Sequence, residues 1–249
     1  MQRRHLILLA GLFALSCSGT SVAPEIPQRL RVASDLDNAP FAYVDEAGKP
    51  AGRDVEMMRR LARHMGAKLE WERMPFDELL PAVERGDVDV VCATLGTNAG
   101  RATRVLFTAP YFETVLAVVV RVGASEPKAL MDLAGKRVAA GLGTTSEIAA
   151  RGRLIEAELV TENKQGLPSA ERLTSGEVDA MVMDGPAAKA LVEASGGALR
   201  VLRGNLGRER YALALPFEKR YLRESLDRSL LALKREWPEL NARHGLAQD

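Results

Sequence analysis

Three side chains occupy positions where an α/β protein presents polar groups to a ligand. Thr144 and Thr145 follow a Gly-Leu-Gly segment (141–143) at the predicted start of a helix, where free backbone N–H groups and the positive helix end favour a carboxylate. Asp184 follows a predicted strand over 178–183, and the carboxyl ends of strands in open α/β sheets face a crevice. Helix capping is the structural alternative for these residues, and it is compatible with ligand contact.

The composition argues against several other kinds of site. The 249 residues include three histidines (His5, His64 and His244), and none has a second histidine or a cysteine at ligand spacing, so no metal and no cofactor are predicted. Cys92 lies in an apolar run and is predicted to be a buried, inert thiol. The formal net charge is +1 without a basic block, which argues against nucleic-acid binding. No serine–histidine–acid set or phosphate loop is recognised.

The N-terminus has the pattern of an export signal. Two arginines precede an apolar run over 6–15, which is about half the length that a membrane-spanning helix needs. Residues 1–23 are therefore interpreted as a signal peptide or a lipoprotein signal, with the mature protein in the periplasm or on the outer face of a bacterial membrane. Cys17 is similar to the lipidated cysteine of bacterial lipoproteins, and ordinary cleavage after Ala23 is the alternative.

From Leu30 onward, short apolar strands alternate with amphipathic helices, which predicts an α/β fold with mainly parallel sheets. Asp54 is expected to cap the first helix. The β-branched run 114–122 is the best candidate for a strand that leaves one lobe for the next. One long helix is expected to carry the apolar residues of 222–237.

One short pattern occurs twice. Residues 84–91 and 174–181 each contain a helix end, a glycine and a strand that opens with Val-Asp. This repeated pattern, together with the alternation of strands and helices that begins again in the second half of the chain, predicts two similar lobes. Because no linker rich in Pro, Gly or Ser separates the halves, strands near 117–122 and 201–211 are expected to form a hinge of limited freedom.

Taken in order, these segments resemble the bacterial extracellular solute-binding proteins of family 3, which serve polar amino acid ABC transporters. The motifs with the clearest likeness are LRVASD (30–35), APF (39–41), FDELLP (76–81), GDVDV (86–90), DLAGK (132–136) and GTT (143–145). The resemblance implies a two-lobed periplasmic-binding-protein type II fold, with mainly parallel sheets flanked by helices and a two-stranded hinge. It places the first part of lobe 1 in 24–121, lobe 2 in 122–202 and the second part of lobe 1 in 203–249.

The resemblance also implies which residues contact the ligand. Arg101 stands where the family binds a carboxylate, and its planar guanidinium can hold both oxygens. Asp184 stands where the family holds an α-ammonium, and Phe76 resembles the apolar wall of the slot. By residue pattern alone, Arg101 is a solvated helix arginine and Phe76 is equally well a core residue.

Several positions depart from the family pattern. Asn38 stands where an aromatic lid is common, Arg53 where Phe is common, and Asn98 where Thr is usual, while Gly96 lacks a side-chain donor. The first-lobe side of the slot is therefore predicted to be more polar and more open. Asp35 is a candidate partner for a cationic ligand side chain. The predicted ligand-binding set is Arg101, Asp184, Thr144, Thr145, Phe76, Asn38, Asp35 and Asn98.

These implications predict a non-catalytic, monomeric protein that captures a small solute, an amino acid, by lobe closure and delivers it to an ABC transporter permease. Contact with the membrane is expected only through a lipid anchor. Two alternatives stay open. One is a cyclohexadienyl dehydratase-like enzyme on the same fold, with Glu147 as the candidate general acid. The other is a periplasmic ligand sensor without a transporter.

Overall fold

A computed structural model describes residues 26–123, 126–162 and 170–246. The predicted export signal in residues 1–23, with Cys17, lies outside the described residues. Among the described residues, no helix is long and apolar enough to cross a membrane. Cys92 is a buried free thiol, as predicted.

The first lobe is built around a five-stranded sheet that uses strands from both ends of the chain. In spatial order its strands are β5 (Lys68–Arg73), β1 (Arg29–Ser34), β6 (Val90–Val91), β14 (Ala214–Leu215) and β7 (Leu106–Phe107). The helices that contact these strands are α1 (Arg53–Met65), α2 (Phe76–Glu84) and α7 (Arg220–Ala232). The stripe of Val55, Met58 and Leu61 on α1 is completely buried, and Gly66 ends this helix with φ of 74°.

A small three-stranded sheet lies beside α1. Its strands are β2 (Asp37–Asn38), β3 (Ala42–Val44) and β4 (Pro50–Ala51). A strand of two residues has too few side chains to show alternation, so the sequence pattern did not indicate this sheet.

The second lobe is built around another sheet. In spatial order its strands are β10 (Glu158–Glu162), β9 (Arg137–Gly141), β11 (Ala180–Asp184), β8 (Phe112–Arg121) and β12 (Leu199–Val201), and β13 (Arg208–Tyr211) pairs with β8 off this path. Its helices are α4 (Thr145–Arg153), α5 (Ala170–Thr174) and α6 (Gly185–Ala194). The residues of β8 from Leu116 to Val120 are buried, so this strand forms the centre of the second core.

Both sheets are mixed, which corrects the expectation of mainly parallel sheets. In the first sheet β1 is parallel to β5 and β6, whereas β14 is antiparallel to β6 and β7. In the second, β9 is parallel to β10 and β11, whereas β8 is antiparallel to β11 and β12. The strand–helix repeats form the parallel half of each sheet, and the segments that pass between the lobes form the antiparallel half.

The two lobes are joined by paired strands. Residues 112–115 of β8 pair with 208–211 of β13 in antiparallel register. Residues 116–120 of the same strand pair with β11 inside the second sheet. The first hinge strand was therefore placed too late at 117–122, because β8 continues from the hinge into the second core without interruption. The lobe boundaries at 121/122 and 202/203 stay predictions, and the strand pairing favours an earlier first boundary within 112–115.

The repeated sequence pattern corresponds to the same local structure in both lobes. The Asp89 carboxylate accepts a hydrogen bond from the backbone N–H of Arg31 at 2.7 Å, and the Asp179 carboxylate accepts one from Arg137 at 2.9 Å. In each case the aspartate ties the start of one strand to the start of its parallel neighbour. The repeated pattern thus reflects two similar lobes, as predicted.

The start of α1 differs from the prediction. Gly52, not Asp54, is the N-cap, and both Arg53 and Asp54 are completely buried. The guanidinium of Arg53 lies 3.0 Å from Asp54 Oδ1, 2.9 Å from Asn241 Oδ1 and 5.2 Å over the Tyr111 ring. Arg53 therefore belongs to the core of the first lobe, and the expectation that it opens the slot is wrong.

The C-terminal helix is divided. Instead of one helix over 222–237, α7 ends at Ala232, a 3₁₀ turn covers Lys234–Glu236, and α8 spans Trp237–Arg243. Pro238 lies in the first turn of α8, where proline is tolerated, but its missing N–H and its ring prevent one continuous helix.

Candidate ligand-binding cleft

A cavity of about 370 Å³ opens between the two lobes, within the size range of small-molecule sites. Residues of the first lobe that line it are Asp37, Asn38, Phe76 and Thr94. Residues of the second lobe that line it are Gly141, Thr144, Ser146, Val182, Met183, Asp184 and Ala187. Four of the predicted site residues, Asn38, Phe76, Thr144 and Asp184, thus line one cavity.

Arg101 extends from the first lobe to the second. It lies on the short helix α3 (Ala99–Ala102), whose N-cap Asn98 accepts a hydrogen bond from the Arg101 backbone N–H at 2.8 Å. Its buried guanidinium packs 5.8 Å over the Phe76 ring. It donates to the carbonyl oxygens of Gly96 at 2.6 Å and Gly143 at 2.8 Å. Asn98 therefore positions Arg101, and its predicted contact with a ligand stays a prediction.

The electrostatic surroundings of Arg101 are acidic. Burial lowers the pKa of its guanidinium, and the carboxyl groups of Glu209 and Asp184 act in the opposite direction. An arginine stays protonated under such conditions, because its ordinary pKa lies far above neutrality. The cleft therefore holds a permanent cation beside two acidic side chains.

Thr144 and Thr145 begin α4 but make different contacts. Thr144 is the N-cap, and its hydroxyl accepts a hydrogen bond from the Glu147 backbone N–H at 3.2 Å. Thr145 Oγ1 donates to Glu209 Oε1 at 2.7 Å. The Glu147 carboxylate accepts a hydrogen bond from the Gly143 backbone N–H at 2.6 Å. The helix start is thus fixed by its own side chains, with Thr145 facing the hinge.

Asp184 is directed away from the helix that follows it. It stands at the N-cap position of α6, yet its side chain makes no capping hydrogen bond. Its Oδ2 accepts a hydrogen bond from the Tyr211 hydroxyl on β13 at 2.5 Å. Burial, and next the charge of Asp184, raise the pKa of Tyr211 well above its usual range, so this hydroxyl stays a donor. Capping therefore does not account for the orientation of the Asp184 side chain.

The first-lobe wall is polar. Asn38 Nδ2 donates to Thr94 Oγ1 at 2.7 Å, and Thr94 has a φ of 48°, which is rare for a β-branched residue and typical of functional sites. Asp37 lines the cavity, whereas Asp35 is buried at the end of β1. The acid of this loop that faces the cavity is therefore Asp37, and the contact of Asp35 with a ligand stays a prediction.

Glu209 was not predicted as a site residue. It lies on β13 and is only 4% exposed, and burial raises its pKa to about 7. Its Oε1 lies 1.6 Å from the point that a Cβ on Gly96 would occupy, so the glycine makes room for this carboxyl group. Two arginines flank Glu209 in sequence and suggest a surface strand. The available signal was Gly96, since a glycine can mark a close approach.

The structure thus brings the predicted Arg101, Thr145 and Asp184 together around a residue that the pattern analysis missed. Thr94, Ser146 and Tyr211 were also missed, because each stands in a segment whose sequence reads as ordinary strand or helix start. Among the described residues, no group of three or more His, Cys, Asp or Glu side chains is arranged to hold a metal ion.

Known proteins with similar sequences and structures place these observations in a family. Residues 30–246 match the family model of the bacterial extracellular solute-binding proteins, family 3. The probable amino-acid-binding protein YxeM of Bacillus subtilis is 32% identical over 147 residues, which are 58% of this chain and 55% of that protein. The match thus covers little more than half of this relative.

Two solved structures resemble the whole fold. The amino acid ABC transporter substrate-binding protein AbpA from Streptococcus pneumoniae, bound to L-arginine, has a TM-score of 0.79 and 29% identity, covering 87% of this chain and 94% of that one. The ancestral amino acid-binding protein AncCDT-1, a precursor of cyclohexadienyl dehydratase, has a TM-score of 0.78 and 28% identity, covering 87% and 95%. Since the family model spans most of the sequence, the chain belongs to the bacterial extracellular solute-binding proteins, family 3.

Proposed function

We propose that this protein binds an amino acid in the cleft between its lobes and delivers it to an ABC transporter. The observation that carries the proposal is a pair of opposite charges where the lobes meet. Arg101 of the first lobe reaches the Gly143 carbonyl of the second, and Asp184 of the second lobe lines the cavity between them. Similar proteins that bind amino acids, described above, support the same ligand class.

The charges of the cleft match those of a zwitterion. An amino acid presents a carboxylate and an ammonium, and burying either one unpaired costs several kcal/mol. Arg101, with the N–H groups and hydroxyls at the start of α4, offers donors for the carboxylate. Asp184 offers an acceptor for the ammonium. A ligand that contacts both favours the closed arrangement, since it gains these contacts only when the lobes meet.

Contacts between the lobes support closure as the binding motion. Arg101 of the first lobe reaches the Gly143 carbonyl of the second, while Thr145 and Asp184 of the second lobe contact Glu209 and Tyr211 on the hinge strand β13. The hinge that permits closure consists of two paired strands, which suits a rotation of limited range.

We propose a binding role rather than catalysis. Glu147, the candidate general acid, is held by the Gly143 N–H and by Arg151 Nε at 2.9 Å, so its carboxylate serves the helix start. The similarity to a precursor of cyclohexadienyl dehydratase indicates which enzymatic activity to test. Incubation with prephenate or arogenate is expected to leave both compounds unchanged, and formation of an aromatic product would establish an enzyme.

Export, lipidation at Cys17, a monomeric state and the permease partner belong to the same proposal. They follow from the N-terminal pattern and from the family. Mass spectrometry of the protein from cells is expected to find a mature chain that begins at an acylated Cys17. A soluble form beginning near residues 21–25 would reject the lipid and retain export.

A thermal-shift screen over the twenty standard amino acids tests the proposed ligand class. Binding to the native state stabilises it by about 2.7 kcal/mol when the ligand is present at one hundred times its Kd. At least one amino acid is therefore expected to raise the midpoint of unfolding clearly. If none does, while other small solutes do, the amino-acid assignment is wrong.

A further inference from the structure

We propose that the carboxyl group of Glu209 lies at the predicted binding position of the ligand's carboxylate. Glu209 therefore takes up one proton when an amino acid binds in the cleft. This inference rests on the proposed function. It concerns a residue that neither the sequence pattern nor the family resemblance marked.

The contacts of Glu209 place it at the predicted anion site. Its Oε1 accepts a hydrogen bond from Thr145 Oγ1 at 2.7 Å, the hydroxyl predicted to hold the ligand's carboxylate. The same oxygen fills the space that Gly96 leaves open, and the carbonyl of Gly96 binds Arg101. The carboxyl group therefore bonds to one of the two groups expected to hold an anion and is near enough to interact with the charge of the other.

The groups that face Glu209 make its charge costly. Arg101 on α3 is the cation, whereas Asp184 at the end of β11 is a second acid and Tyr211 on β13 adds a phenol. Burial is the main cause that raises the pKa of Glu209 to about 7, and Asp184 adds to it, while Thr145 and Arg101 act against it. Near neutral pH the carboxyl group is thus close to half protonated.

An incoming carboxylate changes this balance. Two carboxylates sharing one buried site cannot both stay ionised, so one of them takes a proton. Arg101 can balance one negative charge, and Asp184 is engaged with the ligand's ammonium. Protonated Glu209 can donate its O–H to the ligand's carboxylate, an arrangement that gives a short, strong hydrogen bond. Glu209 is therefore the group that takes up the proton.

Isothermal titration calorimetry of the wild-type protein measures this proton directly. The probe is the amino acid with the largest stabilisation in the thermal-shift screen, with L-arginine tried first. At each pH, titrations in two buffers of different ionisation enthalpy give binding enthalpies that differ by the number of protons taken up times the difference between those ionisation enthalpies. With a pKa of about 7, uptake of about 0.9 proton is expected at pH 8 and about 0.1 at pH 6. The affinity is expected to weaken about tenfold between these pH values.

Two variants separate Glu209 from other titrating groups. Glu209→Gln keeps an acceptor for Thr145, and it is expected to bind with no uptake at pH 8 and with an affinity that does not change between pH 6 and 8. Gly96→Ala is expected to push the carboxyl group out of its place and to reduce the uptake as well. Glu70→Gln, on an exposed ion pair with Arg29, serves as the control and is expected to behave as wild type.

The alternatives give different results. Binding with no proton exchange, or with proton release, would show that the ligand's carboxylate does not meet Glu209, and it would overturn this inference while leaving amino-acid binding intact. If no amino acid binds at all, the proposed function fails and this inference fails with it. An unchanged proton uptake in Glu209→Gln would assign the proton to another group and would also overturn the inference.

Discussion

Arg101 and Arg104 offer a matched pair, since they lie three positions apart and differ in surroundings. Arg101 is buried between the lobes, whereas Arg104 forms an exposed ion pair with Glu84. Arg101→Ala is expected to leave a folded protein whose affinity for its amino acid is lower by about 2–5 kcal/mol, or roughly 30- to 5,000-fold. Titration calorimetry of the purified variant measures this loss.

Arg104→Ala is the control for that measurement. An exposed ion pair contributes about 0–1 kcal/mol to stability, and Arg104 makes no described contact with the cavity-lining residues. Its affinity is therefore expected to equal that of wild type. Equal affinity losses in both variants would show that Arg101 has no special contact with the ligand.

Arg53 tests a different role for a buried arginine. Replacing it with Met leaves Asp54 buried without its ion-pair partner, and such a loss typically costs about 3–5 kcal/mol of stability. Burial already raises the pKa of Asp54, and Arg53 opposes that shift. In Arg53→Met the pKa of Asp54 should rise further, so the loss of stability is expected to be smaller at pH 5 than at pH 8.

Urea unfolding at both pH values measures the effect of Arg53→Met, and ligand binding supplies the contrast. Since Arg53 packs against Tyr111 and Asn241 in the first core, affinity should change little at a temperature where the variant is folded. If the variant is as stable as wild type but binds its ligand more weakly, Arg53 contributes to ligand binding and not to the core.

Sequence reasoning found individual site residues where a motif fixed their position along the chain. Asp184 and Thr144 line the cavity, and each ends or begins an element that the pattern predicted; their contact with a ligand stays a prediction. Glu209 was missed because its importance depends on Gly96 and Thr145, which lie far from it in sequence. Arg53 was misassigned because a charged residue next to a helix start reads as solvent-exposed or ligand-facing, and its partner Asn241 is remote.

The junction between β4 and α1 depends on a single glycine. Gly52 has a φ of 113°, and a Cβ there would lie 2.4 Å from the Phe41 carbonyl oxygen. Gly52→Ala is therefore expected to destabilise the protein by about 3 kcal/mol or more, because backbone must move. Gly48 also has a positive φ, but nothing lies within 4 Å of its Cβ position.

Gly48→Ala is accordingly the matched control, with an expected cost of about 1 kcal/mol from the left-handed backbone alone. Thermal or urea unfolding of both variants compares the two costs. Similar costs would show that the close approach at Gly52 is relieved by a small shift of the loop.

The elements themselves were largely predictable, and the exceptions have physical causes. The first helix was predicted from the residue pattern and β8 from its β-branched run, and both elements are present. The hinge was displaced because β8 is one unbroken strand with similar residues in its hinge part and its core part. The division of the last helix follows from Pro238, whose effect depends on whether it begins a helix or interrupts one.

Glu209 also links the stability of the protein to pH. Its folded pKa of about 7 lies above the ordinary value of 4.5, so the folded state holds this proton more tightly than the unfolded state does. The contribution of Glu209 therefore favours folding below about pH 4.5, weakens as the pH rises to about 7 and stays constant beyond. Between pH 5 and 8, Glu209→Gln is expected to gain roughly 2.5 kcal/mol of stability relative to wild type.

Urea unfolding without ligand at several pH values measures that difference. Other groups also change the stability with pH. Asp89, whose pKa is lowered by Lys219 and Arg31, stabilises the folded protein more as the pH rises, so the comparison with Glu209→Gln is needed to isolate the effect of Glu209. A constant difference between the two proteins across this range would show that Glu209 titrates as an ordinary exposed acid.

The two-lobed arrangement was predictable because the same sequence pattern occurs once in each lobe, at residues 84–91 and 174–181. The aspartates of the repeated pattern make equivalent contacts in both lobes, so a short sequence pattern indicated the presence of two lobes. The relative placement of the lobes was not predictable in this way, because it depends on contacts such as Tyr211 to Asp184 between distant segments.

Titration of Asp184→Asn with the identified amino acid and with its desamino carboxylic acid tests the proposed function most directly. Asn retains an acceptor for the Tyr211 hydroxyl but lacks the charge that should hold the ammonium. The amino acid is expected to lose about 2–5 kcal/mol of binding free energy, whereas the desamino acid, which has no α-ammonium, should bind wild type and variant about equally. If Asp184→Asn binds the amino acid as tightly as wild type, the assignment of this cleft to an amino acid is wrong.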